Sequence, residues 1–260
     1  MKTKPKQTLR NISTSLLLSG AFISAGAQAE VNFNAGLQTT SESNIYGAAI
    51  KANERSDRST TLNASGVYYT TLGSGESTYF ISQVGASKSK YTIYTVLDNA
   101  SVSASVGLYQ QLTQSLSAQL TGRGFSRSTK DTNRDSKGAG GTLEVKSQLG
   151  TTAWIKGFAD YENSRANLNA NDNTGNTLGL SMGFLPWENT FASLGASQNK
   201  RNFTLSSFKT ISNTFFVDLT QRLSKNWFLN GAYAMQGNSN NASTLSSKNN
   251  ILSAAINMSF

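Results

Sequence analysis

The sequence predicts an all-β fold: a transmembrane antiparallel up-and-down β-barrel of about twelve strands. Three observations predict it. Apolar residues recur with a period of two, and polar breaks between the runs are alternately short and long. Hydrophobic residues are only 37% of the 260, diluted almost everywhere by Ser, Thr, Asn and Gly. A water-soluble sandwich of this length packs Val, Ile and Leu more densely into its strands. A barrel with lipid outside and water inside alternates apolar with small polar residues.

The first element precedes the barrel. MKTKPKQTLR carries Lys2, Lys4, Lys6 and Arg10 and no acid. An apolar stretch follows, SLLLSGAFISAGA, and then Ala27-Gln28-Ala29. This order is that of a secretory signal peptide over 1–29, cleaved after Ala29. The apolar stretch is too short, and too rich in Ser and Gly, to be a membrane anchor.

Residues 30–260 are expected to form the barrel, with strands starting near 31, 59, 78, 98, 115, 138, 152, 176, 190, 210, 226 and 250. Ala100, Val102, Ala104, Val106 and Leu108 alternate with Ser101, Ser103, Ser105 and Gly107. Leu178, Leu180, Met182 and Phe184 alternate with Thr177, Gly179, Ser181 and Gly183. A helix would space its apolar residues by three and four. Each strand is expected to run about 10–12 residues, enough to cross a bilayer when tilted. Short turns fall at 71–77, 111–115, 149–152, 185–189 and 222–226. Long polar stretches fall near 41–58, 88–98, 127–137, 163–175, 199–210 and 237–249 and read as mobile extracellular loops. An even strand number puts both ends of the barrel on the short-turn, periplasmic side.

Aromatic residues mark the membrane boundaries, where amphipathic rings settle. Trp154, Trp187 and Trp227 each follow or close a short turn and are expected to form one girdle. The parity of 152–162 conflicts at one point, since Ala153, Ile155, Ala159 and Tyr161 make the better lipid face and turn Trp154 inward. Tyr46, Tyr91, Tyr94, Phe203 and Phe208 mark the other boundary. In the last ten residues, ILSAAINMSF, the lipid face is Leu252, Ala254, Ile256, Met258 and Phe260. This strand is expected to close the ring against VNFNAGLQTT and to carry the assembly signal at Phe260.

The same parity sends charge inward. Arg123, Glu144, Lys146, Lys156 and Asp160 are expected on one lumenal wall, with Asp218 further round. A lipid-facing charge would cost about 2–4 kcal/mol at the midplane. Two readings of this wall stand side by side: cross-strand charge pairs that hold it together, or a mildly cationic constriction selecting anionic or polar solutes. Phe125, Phe158, Phe216 and Phe228 also turn inward, either as stacking surfaces for sugars or as filling.

Several chemistries are excluded. Cys and His are absent, so no disulfide, thiolate nucleophile, imidazole base or usual zinc site can be built. Asp131, Asp135 and Asp172 lack the dense spacing of a calcium loop. No Ser-Lys or paired-carboxylate spacing is recognisable, so no enzyme and no cofactor are expected. The net charge of +9 is scattered among acids, which does not suit nucleic acid.

The AQA ending of the signal, the alternating segments and the terminal INMSF together resemble the outer-membrane barrels of Gram-negative bacteria. That resemblance implies outer-membrane lipid and the barrel-assembly machinery as partners, the latter reading the last strand. Glu42-Ser43-Asn44-Ile45 and Arg55-Ser56-Asp57 resemble the first hairpin of β-barrel porins associated with exopolysaccharide gene clusters. Twelve-stranded channels for acidic oligosaccharides are similar in size and lumen charge. These likenesses imply a porin-like channel for polar or anionic solutes, saccharides above all, or an accessory to exopolysaccharide export. The alternative is a structural or surface-binding barrel whose extracellular loops engage a partner.

Overall fold

The architecture comes from a computed structural model. It describes residues 29–45, 53–73, 77–205, 207–241 and 243–260, with backbone only for 243–245. The signal-peptide stretch with Ala27, and Tyr46, lie outside the described residues.

Twelve strands follow one another around a closed barrel, each hydrogen-bonded to its sequence neighbours. They are β1 (Glu30–Glu42), β2 (Asp57–Thr71), β3 (Thr78–Tyr91), β4 (Asn99–Gln111), β5 (Leu116–Thr129) and β6 (Ser136–Leu149). The second half is β7 (Ala153–Ala166), β8 (Asn173–Trp187), β9 (Thr190–Phe203), β10 (Lys209–Arg222), β11 (Trp227–Asn240) and β12 (Ser243–Ser259). The ring closes where β1 pairs antiparallel with β12, from Asn34 opposite Ser259 to Glu42 opposite Ile251. Phe33 and Phe260 then exchange two backbone hydrogen bonds, of 2.8 and 2.9 Å. Closure leaves no unpaired strand edge, the condition for a backbone placed in hydrocarbon.

The barrel is inverted relative to a water-soluble protein. Among the described residues the buried apolar ones are Ile45, Tyr69, Tyr79 and Tyr91, whereas the buried polar set is far larger and includes Glu42, Asn44, Asp57, Thr190 and Asp218. Large exposed hydrophobic side chains come from every strand, such as Leu62 at 61%, Tyr161 at 48% and Leu178 at 66%. An apolar girdle of this extent suits lipid, not water. No helix among the described residues is long and apolar enough to cross a membrane.

The strands are longer than expected, from 13 to 17 residues. The reason lies at the end away from the short turns, where the polar stretches keep pairing in register instead of leaving the sheet. Strand β12 therefore starts at Ser243, not near 250, and the connections shrink to 92–98, 130–135, 167–172 and 204–208. Polarity marked the end of the apolar girdle, not the end of the strand.

These connections form a laced rim, shorter than the loops expected. Three contain a one-turn 3-10 helix followed by an aspartate. Asp98 accepts from Tyr91 N at 2.7 Å, Asp135 from Thr129 N at 2.6 Å and Asp172 from Ala166 N at 2.6 Å. Each carboxylate so satisfies a backbone donor that leaves the ladder, the usual role of Asp in turns. Neighbouring hairpins are also bonded: Lys130 N donates to Asp98 O, Asn167 N to Asp135 O and Thr204 N to Asp172 O, each 2.9 Å.

The opposite end carries the start of β1, Phe260 and the short turns. Strand β8 runs through Pro186 to Trp187, with a register shift between Phe184 and Trp187. A proline cannot donate to a ladder, and the irregularity accommodates it. The turn that follows is just Glu188-Asn189, with Asn189 at φ 61°.

Candidate functional site

The inward residues of β5 to β9 form the charged wall. Across one row the register runs Arg123, Gly140, Glu162, Gly175, Arg201. The row beneath it runs Thr121, Thr142, Asp160, Thr177, Asn199. Arg123 lies flat across Gly140, whose missing Cβ would sit 3.1 Å from Nη2. It reaches Thr142 Oγ1 at 3.0 Å, makes a two-pronged pair with Asp160, and donates to Glu162 Oε2 at 3.3 Å. A two-pronged guanidinium–carboxylate pair is among the stronger polar contacts and fixes orientation as well.

Nearer the short-turn end, Lys156 donates to Glu144 Oε1 at 3.1 Å, and its ammonium lies 5.9 Å from the Phe158 ring centre. Lys146 is its direct cross-strand neighbour. Lys146 enters no ion pair among the described residues; its ammonium lies 5.1 Å from the Trp154 ring centre. Ring faces attract cations, most strongly those of Trp.

The five expected wall residues thus come together, and the pairing reading describes them. Arg123 and Lys156 are satisfied by carboxylates, which leaves Lys146 as the cation of the expected constriction. Asp218 also projects inward but stands apart, on β10, where Ser193 donates to it at 3.1 Å. Trp187 and Trp227 are exposed, at 62% and 42%, as a girdle requires. Trp154 is not part of that girdle. Parity turns it inward, and it stacks on Phe191 with ring centres 5.9 Å apart. Tyr91 is buried too, in the far mouth, and does not mark the outer boundary.

Four of the inward aromatics lie over glycines, whereas Phe228 faces Arg222 and Asn257. Phe125, Trp154, Phe158 and Phe216 are each directly opposite a glycine: Gly138, Gly183, Gly179 and Gly195. A Cβ at 183 would lie 2.5 Å from the Trp154 ring and one at 195 the same distance from Phe216; one at 138 or 179 would overlap the facing phenylalanine. Each ring therefore occupies the space its partner's missing side chain leaves and lies against the wall. Near the short-turn end Tyr69, Tyr79 and Tyr109 add to the inward aromatic surface, the last two edge-to-face at 5.9 Å.

Two parts of the interior were missed in the sequence. Glu162 and Arg201 belong to the charged row. Arg201 falls where a polar loop was expected, whereas Glu162 closes the expected strand 152–162, where the even parity of Lys156, Phe158 and Asp160 would have found it. The second part is the far mouth. There Asn44 N donates to Asn249 Oδ1 at 2.9 Å, Asn44 Nδ2 to Lys248 O at 2.9 Å, and Asn249 Nδ2 to Glu42 Oε2 at 3.0 Å. Ile45 N donates to Arg55 O at 2.8 Å. Asp57 accepts from the backbone N–H groups of Arg58, Ile93 and Tyr94. The stretches Glu42-Ser43-Asn44-Ile45 and Arg55-Ser56-Asp57 are thus the anchor points of the first loop.

No family model matches the sequence, and no curated protein matches it. Solved structures match the fold. An outer membrane channel from Pseudomonas putida F1 superposes with a TM-score of 0.66 at 8% identity, covering 93% of this chain and 98% of that one. The KdgM porin gives 0.51 at 9% identity, over 86% and 99% of the two chains. The β domain of the Bordetella autotransporter Brka gives 0.51 at 14% identity, over 90% and 100%. All three are bacterial outer-membrane barrels, and at these identities the likeness is one of fold.

Proposed function

We propose that this protein is an outer-membrane channel for polar or anionic solutes, saccharides foremost. The observation that carries the reading is the lumenal wall. Its charges are held flat by Arg123 over Gly140 and by Lys156 on Glu144, and four of its rings lie in glycine gaps. Such a wall offers hydrogen-bonding and stacking surfaces. Lys146 beside Trp154 supplies a cation and an aromatic face together. Polar groups that line a path and bind weakly are what conduction of a polar solute needs. The inverted surface and the likeness to the Pseudomonas putida channel support the location in the outer membrane, and the short turns suit the periplasmic side. The first-hairpin resemblance supports a role as an accessory to exopolysaccharide export. A barrel acting through its loops has less to support it, because the connections 92–98, 130–135, 167–172 and 204–208 are short and laced to their neighbours.

The test is single-channel conductance of the refolded barrel in planar bilayers, with acidic and neutral oligosaccharides added as blockers. Block by oligosaccharide that weakens in Lys146→Ala supports the reading. A folded barrel without conductance, or one whose current ignores saccharide, refutes it.

A further inference from the structure

The outer surface of the barrel is not uniform. A furrow of about 750 Å³ crosses β1 to β5 on the apolar face. One of its walls is the register row Ala35, Ala64, Ala86, Val102, Ser126. The facing wall includes Val84 and Ala104. The furrow starts beside Phe33 and Phe260, near the short-turn end, and climbs along the hydrogen-bonding direction toward the far rim.

The same row continues past Ser126 to Lys137 on β6 and then Arg165 on β7, which are direct cross-strand partners. Both are exposed and share the outward parity of Ala139 and Tyr161. Like charges placed directly opposite each other destabilise a sheet. No ion pair among the described residues relieves this one. Lys88 and Lys90 add positive charge on β3, on the same face and above Ala86. The acids of the described strands, Glu30, Glu42, Asp57, Glu144, Asp160, Glu162 and Asp218, all have inward parity. The rim aspartates Asp98, Asp135 and Asp172 are engaged by backbone donors.

We propose that this furrow and the Lys137–Arg165 pair form a binding site for one phosphorylated lipid of the surrounding leaflet. An acyl chain lies in the furrow, and the headgroup phosphate bridges Lys137 and Arg165. The proposal rests on the outer-membrane reading above. Charge complementarity selects the occupant: two facing cations at the polar end of an apolar groove match an anionic headgroup joined to a chain. Arginine suits phosphate through its planar fork of donors, and lysine adds a second point of charge.

The experiment uses the full barrel, purified in mild detergent from outer membranes and observed by native mass spectrometry. Retention of a phosphorylated lipid should fall about tenfold in K137A/R165A. It should fall likewise in Ala104→Phe, which fills the furrow and leaves the charges. Lys209→Ala, a cation on β10 away from the furrow, should retain lipid as the parent does. Delipidated barrel should regain the adduct from micelles doped with lipid A, but not from micelles doped with its dephosphorylated form. Inorganic phosphate at equal concentration should not compete. Unchanged retention in K137A/R165A would overturn the proposal, as would adducts equally abundant with dephosphorylated lipid. Displacement by inorganic phosphate alone would make the pair a free-anion site and overturn the lipid assignment. Conductance is read in parallel: a conducting barrel that retains no lipid sinks this inference alone, whereas a folded barrel that retains lipid without conducting sinks the channel reading alone.

Discussion

Replacing Arg123 with Ala tests whether the lumenal wall governs ion passage. The guanidinium is held by Asp160 and Glu162, with side-chain exposures of 26%, 20% and 21%. Its removal leaves two carboxylates without their cation. Breaking a fully buried pair costs about 3–5 kcal/mol, and an exposed pair contributes at most about 1 kcal/mol. This wet, partly exposed cluster falls between, so a ring of twelve paired strands should still assemble. The consequence for function is larger. A unit charge acting on an ion about 4 Å away through water is worth about 1 kcal/mol, roughly a fivefold change in local cation occupancy. The reversal potential under a potassium chloride gradient should therefore move toward cation selectivity in R123A. At about 0.1 M salt the screening length is about 10 Å, and at 1 M about 3 Å, so the shift should be clear in dilute salt and nearly vanish in concentrated salt. The cluster carries a formal −1 with Arg123 and −2 without it, so adding D160N alone to R123A brings back −1 and should restore the original potential. A folded R123A barrel, shown by heat-modifiable migration, with an unchanged reversal potential in dilute salt would refute the reasoning.

Gly179→Val places a side chain where the Phe158 ring lies and should push that ring into the bore, lowering single-channel conductance; adding Phe158→Ala should recover it. Asp135→Ala removes the acceptor used by both Thr129 N and Thr129 Oγ1. At about 0.5–1.5 kcal/mol per hydrogen bond, the loss should be roughly 1–3 kcal/mol in urea unfolding from vesicles, with Lys130→Ala near zero as the control. Deleting Phe260 removes two backbone hydrogen bonds to Phe33 at the closing seam and should reduce the heat-modifiable fraction in outer membranes more than R123A does. Normal assembly of that deletion would remove the seam from the argument.

The strand count, the closing pair β1 with β12 and the inward set Arg123, Glu144, Lys146, Lys156, Asp160 and Asp218 were legible because a strand has a period of two. Parity alone sorts each residue to lipid or lumen, and a charge cannot face hydrocarbon cheaply. The same rule turned Trp154 inward against its place beside a turn. Strand ends were less legible, since polarity marks where lipid stops, not where pairing stops; hence Arg201 was lost in a supposed loop, and Glu162, the last position of the expected strand 152–162, was not singled out. Only the tertiary structure decided which cation meets which carboxylate, because register sets that, and register is a property of two strands and not of one. It placed Arg123 opposite Gly140 with Glu162 beyond, aromatic rings opposite glycines, and Asn44 against Asn249 from the far end of the chain. Composition and alternation determined that this chain has an apolar outside and a polar inside. Cross-strand register determined what that inside can hold.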